Sequence, residues 1–320
     1  MHGKGGVCSV KRYTTNAFNR DFRDDDAFLD YTPRLLYTDG VMCLKCGQIR
    51  KHHRLNGRKA YSCDHCDTHV YPLAETIFEK SRTPLKSWFY AMYFMASTRC
   101  GIPAKQLERG LGVTYKTAWR MFKQIRSLLG EESEKLSGEV QANEIYIGGR
   151  ERGKPGRPSK DSNKTPVVGV VQRGGKVADL VTKDAKKKTI EPIIQEHVLP
   201  ASLVYTDKWK AYDGLNGKGY EHKRIPHAEK VYVIGSIHTN TMDGFWSLLK
   251  RGIGGVYHSV SAKHLQDYVN EYAFRYNHRD DKQPMYTTTQ QRIKRVRHGK
   301  HGEYAPIGPV PPGSEALSAE

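Results

Sequence analysis

Four cysteines constrain the fold of this chain more than any other feature. Cys43 and Cys46 lie in CLKC, Cys63 and Cys66 lie in CDHC, and sixteen residues separate the two pairs. A Cys-x-x-Cys segment closes a tight knuckle turn, so both sulfurs of a pair face one ion. Two such pairs complete a closed tetrahedral thiolate shell, the arrangement of a structural zinc ribbon. A closed shell has no open position, so zinc held there organises the fold and does no chemistry. Residues 39–72 are therefore expected to fold around a metal rather than an apolar core. Cys8 and Cys100 fall outside the spacing and read as a spare thiol and a small core residue.

The charge balance narrows the partner. Lys and Arg number 52 against 34 Asp and Glu, a formal charge of +18 over 320 residues. A chain this basic is suited to a polyanion, and nucleic acid is the common one because each bound phosphate releases condensed counterions. The segment between the cysteine pairs, GQIRKHHRLNGRKAYS, is dense in Arg, Lys and His, so the ribbon is expected to contact DNA; a merely solvated basic loop is the alternative. No run of about 18 apolar residues implies a membrane span, and MHGKGGVCSVKRYTTNAFNR lacks the apolar stretch of a signal peptide. The expectation is a cytoplasmic, nucleoid-associated protein whose cysteines are reduced or metal-bound.

The length suits about two or three compact units. Residues 1–38 read as a basic leader followed by a short helix in DDDAFLDYTPRLLY, capped within Asp24 to Asp26 and limited by Pro33. Residues 81–132 read as helical. Thr83 is expected to cap a first helix with Pro84 at its first position. Then IPAKQLERGLGVTYKTAWRMFKQIRSLL places a turn at Gly112 between two helices, the second capped by Thr114. Ala118, Met121, Phe122 and Ile125 fall on one face of that second helix, whereas Lys116, Arg120, Lys123 and Arg126 stand largely elsewhere. This is the layout of a helix-turn-helix whose second helix can enter a major groove; an ordinary helical hairpin with a solvated charged face is the alternative.

Near Gly138 the chain becomes rich in β-branched residues. Between 138 and 280 the reading is β-β-β-α-β-α-α, a mixed α/β domain. The segment 150–164 reads as a mobile basic loop or a strand-to-strand insertion, and 281–320 as a basic, proline-rich tail, disordered from about Arg297. Asp207 ends the apolar run SLVYTD, at the mouth of a buried strand. In HTNTMDGFWSLLK, Asn240, Asp243 and Lys250 are spaced by three and seven, which sets them on one helical face, with Trp246 and Leu249 as anchors. Two carboxylates and a third oxygen ligand can hold a pair of magnesium ions and act on a phosphodiester. Lys250 and the adjacent Arg251 would steer phosphate or flanking DNA.

The cysteine ribbon, GVTYKTAWRMFKQIR, NEIYIGGR, VYTDKWKAYDGL and the block HTNTMDGFWSLLKRGIGGVYHSVSAKHLQDYVNEYAFRYNHR resemble the Merlin-related transposases of bacterial insertion sequences, over about residues 25 to 278. The resemblance implies an RNase H-like fold and a DDE-type site using Mg²⁺ or Mn²⁺. It also implies cleavage at terminal inverted repeats, joining of the freed 3′-hydroxyls to target DNA, and a homodimer or larger assembly on double-stranded DNA. In that pattern the three acidic positions fall on Asn143, Asp207 and Asp243, and Lys250 matches a basic residue one helical repeat later. Two departures stand out. Asp243 occupies a place where the family usually shows Glu, and in some branches an Asn, here Asn240, is counted in the triad. More seriously, Asn143 puts a neutral amide where a charged ligand is expected, and bridging two divalent cations needs that charge. Two readings follow: an active transposase, or a derivative with a dead catalytic domain that only binds DNA. Glu144 can rescue the site only through a bulge, because neighbouring strand residues point to opposite faces.

Overall fold

The computed structural model describes residues 13–130, 134–148, 163–225 and 240–293, and the backbone alone of 233–234 and 237–238. Residues 150–162 of the expected loop at 150–164, Cys8 and the tail beyond 293 lie outside the described residues.

Two helices open the described chain, α1 (Thr15–Asp21) and α2 (Asp25–Leu36). Asp24 caps α2, its carboxylate accepting from the Ala27 amide at 2.9 Å. Pro33 does not stop this helix; α2 runs three residues past it. Proline has no N–H, so the Leu29 carbonyl one turn earlier is left without its helical donor. The Tyr61 hydroxyl, from the ribbon, shares its proton between that oxygen at 3.1 Å and Asp30 Oδ1 at 2.8 Å. Asp25 points the other way and accepts from the amides of Leu85 and Lys86 at 3.0 and 2.9 Å. These belong to the first turn of α3 (Leu85–Ser97). That helix therefore begins after Pro84 with no cap from Thr83: its orphan donors are satisfied by a carboxylate sixty residues upstream.

The cysteine unit forms a hairpin, β1 (Met42–Cys43) with β2 (Gln48–Ile49), and a small sheet of β3 (His52–Arg54), β4 (Tyr61–Cys63) and β5 (His69–Val70). Arg54 pairs with Asp26 and Asp30, which holds the ribbon against α2. Next come α4 (Ala104–Leu111) and α5 (Tyr115–Arg126), joined as expected by a left-handed Gly112 and a Thr114 cap. Phe18, Phe28, Trp88, Phe89, Met121 and Phe122 form one core with these helices. Phe274, Tyr286 and Ile293 join it from far along the chain. Tyr286 lies in α9 (Met285–Gln291) and stacks on Tyr13 with ring centroids 4.9 Å apart. The segment from 281 thus begins with a packed helix, not with a tail.

The second half is one five-stranded sheet. Its strands are β6 (Glu139–Ile147), β7 (Thr165–Gln172), β8 (Val177–Val181), β9 (Leu203–Asp207) and β10 (Glu221–Ile225), in the order β10-β9-β6-β7-β8. β6, β7 and β8 are antiparallel, whereas β9 and β10 run parallel to β6. This is the mixed sheet of an RNase H-like fold. β10 has no counterpart in the sequence reading: as an edge strand of composition EHKRI it buries only Ile225 fully, so it shows no apolar alternation. A short hairpin, β11 (Val233–Ile234) with β12 (Ile237–His238), follows it.

Alternation along β6 sorts the layers. Val140 and Ala142 face α6 (Lys187–His197), while Ile145 and Ile147 face α7 (Asn240–Arg251) and α8 (Ala262–Asn277). α7 continues into a π-helical turn, Gly252–Tyr257.

Candidate functional site

Asn143 and Asp207 come together through strand register. β6 and β9 pair in parallel as Glu139↔Leu203, Val140↔Val204 and Gln141↔Tyr205. Continuing that offset by two residues sets Asn143, in the middle of β6, level with Asp207 at the carboxyl end of the adjacent parallel strand β9. Both share the parity that faces α7. Asp207 is half-buried, and its Oδ1 accepts from the Trp209 amide at 3.0 Å, which fixes the turn out of the strand.

Asp243 arrives from above, in the first turn of α7. What lets the helix come this close is Gly169, the β7 residue opposite Asn143. A Cβ on Gly169 would lie 2.6 Å from the Trp246 ring and 2.7 Å from the Met242 methyl. α7 therefore rests on bare backbone, and Trp246 and Leu249 are buried beneath it as the spacing foretold. Asn240 and Lys250 share Asp243's side of the helix; all three are exposed, as is Arg251.

Hydrogen bonding fixes the orientation of the Asn143 amide. Its Oδ1 accepts from the Glu144 backbone amide at 2.8 Å, so its Nδ2 is the group turned toward Asp243, 3.4 Å from Oδ1. The amide donates to the carboxylate that it neighbours, where an acidic residue would need a cation between the two. Glu144 does not replace it. β6 and β7 stay in unbroken register from Val140↔Gln172 to Ile147↔Thr165, with no bulge. Glu144 consequently points to the opposite face, where the Tyr212 hydroxyl donates to its Oε2 at 2.7 Å. Asp207 and Asp243 offer carboxylates that suit a hard divalent cation; the amide at 143 supplies no charge.

One residue escaped the sequence reading. Gln141 is fully buried, and its Oε1 accepts from the Met242 amide at 3.0 Å, so it caps α7 beside Asp243. The signal was there: a polar residue of the same parity, two before Asn143 and set between the apolar Val140 and Ala142.

The cysteine cluster is compact. The sulfurs of Cys43, Cys46, Cys63 and Cys66 all lie within 4.8 Å of one another, against about 3.8 Å for the edge of a tetrahedron with Zn–S of about 2.3 Å. Gly47 and Asp67, both left-handed, close the two knuckles by returning their amides to the carbonyls of Cys43 and Cys63 at 2.9 and 3.1 Å. The Cys46 amide lowers the Cys43 thiol, and Thr68 draws Cys66 down to about 6. Cys66 and the other neighbouring sulfurs push Cys46 up to about 12. Crowded thiols of this kind ionise together only around a cation. The donor set fits a zinc ribbon. Cys100, expected in a core, is exposed.

On α5, Lys116, Arg120 and Lys123 are exposed. Arg126 is not: it is 2% accessible, and its Nε donates to Glu271 of α8 at 2.6 Å. It lies at the end of the helix where α8 covers that face, so it is removed from the DNA-facing set.

Residues 135–277 match the ISXO2-like transposase domain. Over 259 residues the chain is 27% identical to an uncharacterized protein in transposable element ISH50 of Halobacterium salinarum, covering 76% of this chain and 87% of that one. Over 107 residues it is 31% identical to an uncharacterized transposase-like protein of Haemophilus influenzae, covering 33% of this chain and 85% of that one. Among solved structures it is similar to a chain in the simian T-cell lymphotropic virus intasome in complex with PP2A regulatory subunit B56 gamma. The identity there is 12% and the TM-score 0.30, over 70% of this chain and 78% of that one. The chain belongs to the insertion-sequence transposases that carry the ISXO2-like transposase domain.

Proposed function

We propose that this chain is a DNA transposase that binds terminal inverted repeats through its ribbon and helix-turn-helix, and cuts and joins phosphodiesters at Asn143, Asp207 and Asp243. The observation that carries the reading is the meeting of Asn143 and Asp243 at 3.4 Å, on the sheet face where Asp207 ends the next strand. Asp207 and Asp243 would hold Mg²⁺ or Mn²⁺, with Asn240 as a further oxygen donor. Bound there, such ions activate an attacking oxygen and stabilise the leaving one. Lys250 and Arg251, on the exposed side of α7, bind the phosphates flanking the cut. In the first reaction the oxygen of water bonds to phosphorus and the bond to the 3′-oxygen breaks, freeing a 3′-hydroxyl. In the second, that hydroxyl attacks a target phosphodiester and displaces a new 3′-hydroxyl. No covalent bond to the protein forms. Two element ends must be joined, so the working form is a homodimer or larger assembly on DNA. Zinc on Cys43, Cys46, Cys63 and Cys66 keeps the ribbon rigid. Lys116, Arg120 and Lys123 face the duplex. None of the described helices is long and apolar enough to cross a membrane.

A second reading is favoured by one specific feature. Glu144 faces away and bonds Tyr212, so nothing on β6 replaces the missing charge at Asn143, and the chain as it stands binds DNA without cutting it. Labelled duplex carrying the inverted repeats that flank the gene, incubated with Mg²⁺ or Mn²⁺, separates the two. Cleavage by the unaltered protein sinks the binding-only reading. Binding without cleavage by either the unaltered protein or its Asn143→Asp variant sinks this placement of the active site.

A further inference from the structure

The α5 arginine that turned inward sits in a buried network that the proposed reaction does not use. Glu271 of α8 is wholly inaccessible. Its Oε2 accepts from Arg126 Nε at 2.6 Å and its Oε1 from Arg275 at 2.7 Å. The Tyr257 hydroxyl donates to both oxygens, at 3.0 and 3.1 Å. The Arg126 guanidinium also lies 5.1 Å over the Tyr257 ring. Burial alone would raise the Glu271 carboxyl, but the two guanidiniums outweigh it and hold it below the usual carboxylate range, so it is ionised. A buried charge cluster of this kind is a poor source of stability, since apolar residues of the same volume commonly do as well or better. What it supplies is geometry, because each partner is held in one arrangement.

The elements it joins are informative. Arg126 ends α5, the helix whose exposed cations face DNA. Tyr257 ends the π-helical turn that continues α7 without a break, and Asp243 lies in the first turn of that same rod. The fit at Tyr257 is tight: a Cβ on Gly101 would lie 2.3 Å from its hydroxyl. A shift of α5 is therefore taken up by the far end of the rod that carries Asp243 rather than absorbed by loose packing.

We propose that Glu271 and Tyr257 are positioning residues that link DNA occupancy of α5 to the placement of Asp243 beside Asn143 and Asp207. The link rests on the reading of α5 as DNA-facing and of Asp243 as an active-site residue. Tyr257→Phe tests it, because it removes one hydroxyl and leaves the exposed face of α5 and the Arg126–Glu271 pair in place. The full chain is mixed with inverted-repeat duplex, and amide hydrogen exchange is followed over 241–251. DNA slows exchange there by about tenfold in the unaltered protein, the scale of ordinary coupling between sites. In Tyr257→Phe that slowing is lost while DNA affinity and the cooperative melt are kept. In an Asn143→Asp background that cleaves, Tyr257→Phe lowers kcat and leaves KM unchanged. Equal slowing in both proteins, or none in the unaltered one, overturns the link. So does joint loss of affinity and of the cooperative melt, which marks the hydroxyl as merely structural. An unaltered protein that binds no duplex overturns the DNA-binding reading itself, and the link with it.

Discussion

Replacing Asn143 by Asp should convert a self-satisfied pair into a cation site. In the structure the amide Nδ2 faces Asp243 Oδ1 at 3.4 Å, held in that sense by the Glu144 amide on its other atom. A carboxylate there sets two anionic oxygens at the same separation. Like charges at about 4 Å cost about 1 kcal/mol in water and about 4 kcal/mol at an effective dielectric of about 20. Asp243 is exposed and Asn143 half-buried, so the lower part of that range applies, about 1–2 kcal/mol. For a chain of 320 residues that is a fall in Tm of roughly 1.5–3 °C in buffer without added divalent ions. Mg²⁺ or Mn²⁺ at about 100 times its Kd then returns about 2.7 kcal/mol to the variant, more than offsetting the loss, and stabilises the unaltered protein less. Calorimetric melts of both proteins with and without added Mg²⁺ read this directly. Chelators are avoided so that the ribbon is untouched. A variant as stable as the parent without divalent ions, and no more responsive to them, refutes the reasoning.

Four further outcomes are expected. Stripping the thiolate-bound metal should unfold residues 39–72 and weaken DNA binding, seen as faster alkylation of Cys43, Cys46, Cys63 and Cys66; unchanged thiol reactivity contradicts the ribbon. Gly169→Ala should lift α7 from β7 and cost about 1–3 kcal/mol, with a larger proportional loss of activity in any cleaving form, since Met242 and Trp246 stand at 2.7 and 2.6 Å from the added carbon. Removing Lys116, Arg120 and Lys123 together should lower the slope of log binding constant against log salt by about 0.9 for each phosphate no longer neutralised, whereas Arg126→Met should leave the slope unchanged. His222, bonded to Thr206 at 2.8 Å, is held neutral by burial and by Arg224, its pKa lowered from 6.5 to about 4. Its folded-state pKa is depressed, so the stability it contributes is present above about 6.5 and lost as pH falls toward about 4; a Tm-against-pH curve that His222→Gln does not flatten over that window contradicts this.

Local chemistry carried much of the fold in the sequence itself. The Cys-x-x-Cys pairs close knuckles within a few residues, Gly112 and Thr114 end one helix and begin the next, and β-branched runs announce β6, β7 and β9. Each of these signals acts over a turn or a strand, within reach of the residues that state it. The positions of Asp207, Asp243 and Lys250 were legible for the same reason, as a strand end and a helical face. The features that sequence reading missed depend on partners far away in the chain. Arg126 reads as a solvent-facing cation until Glu271, 145 residues on, covers it. Pro33 reads as a helix stop until Tyr61 takes up the carbonyl it orphans, and Thr83 reads as a cap until Asp25 takes its place. β10 and α9 are charged or polar segments that acquire structure only by adding to an edge or lying on α3. Gln141 is an ordinary strand residue until α7 lands on it. Identity and spacing determined which groups this chain can bring to phosphate and to metal. Only the tertiary structure decided that Asn143 donates to Asp243 and that Glu144 faces the other layer, because both follow from strand parity and from how closely α7 approaches the glycine in β7.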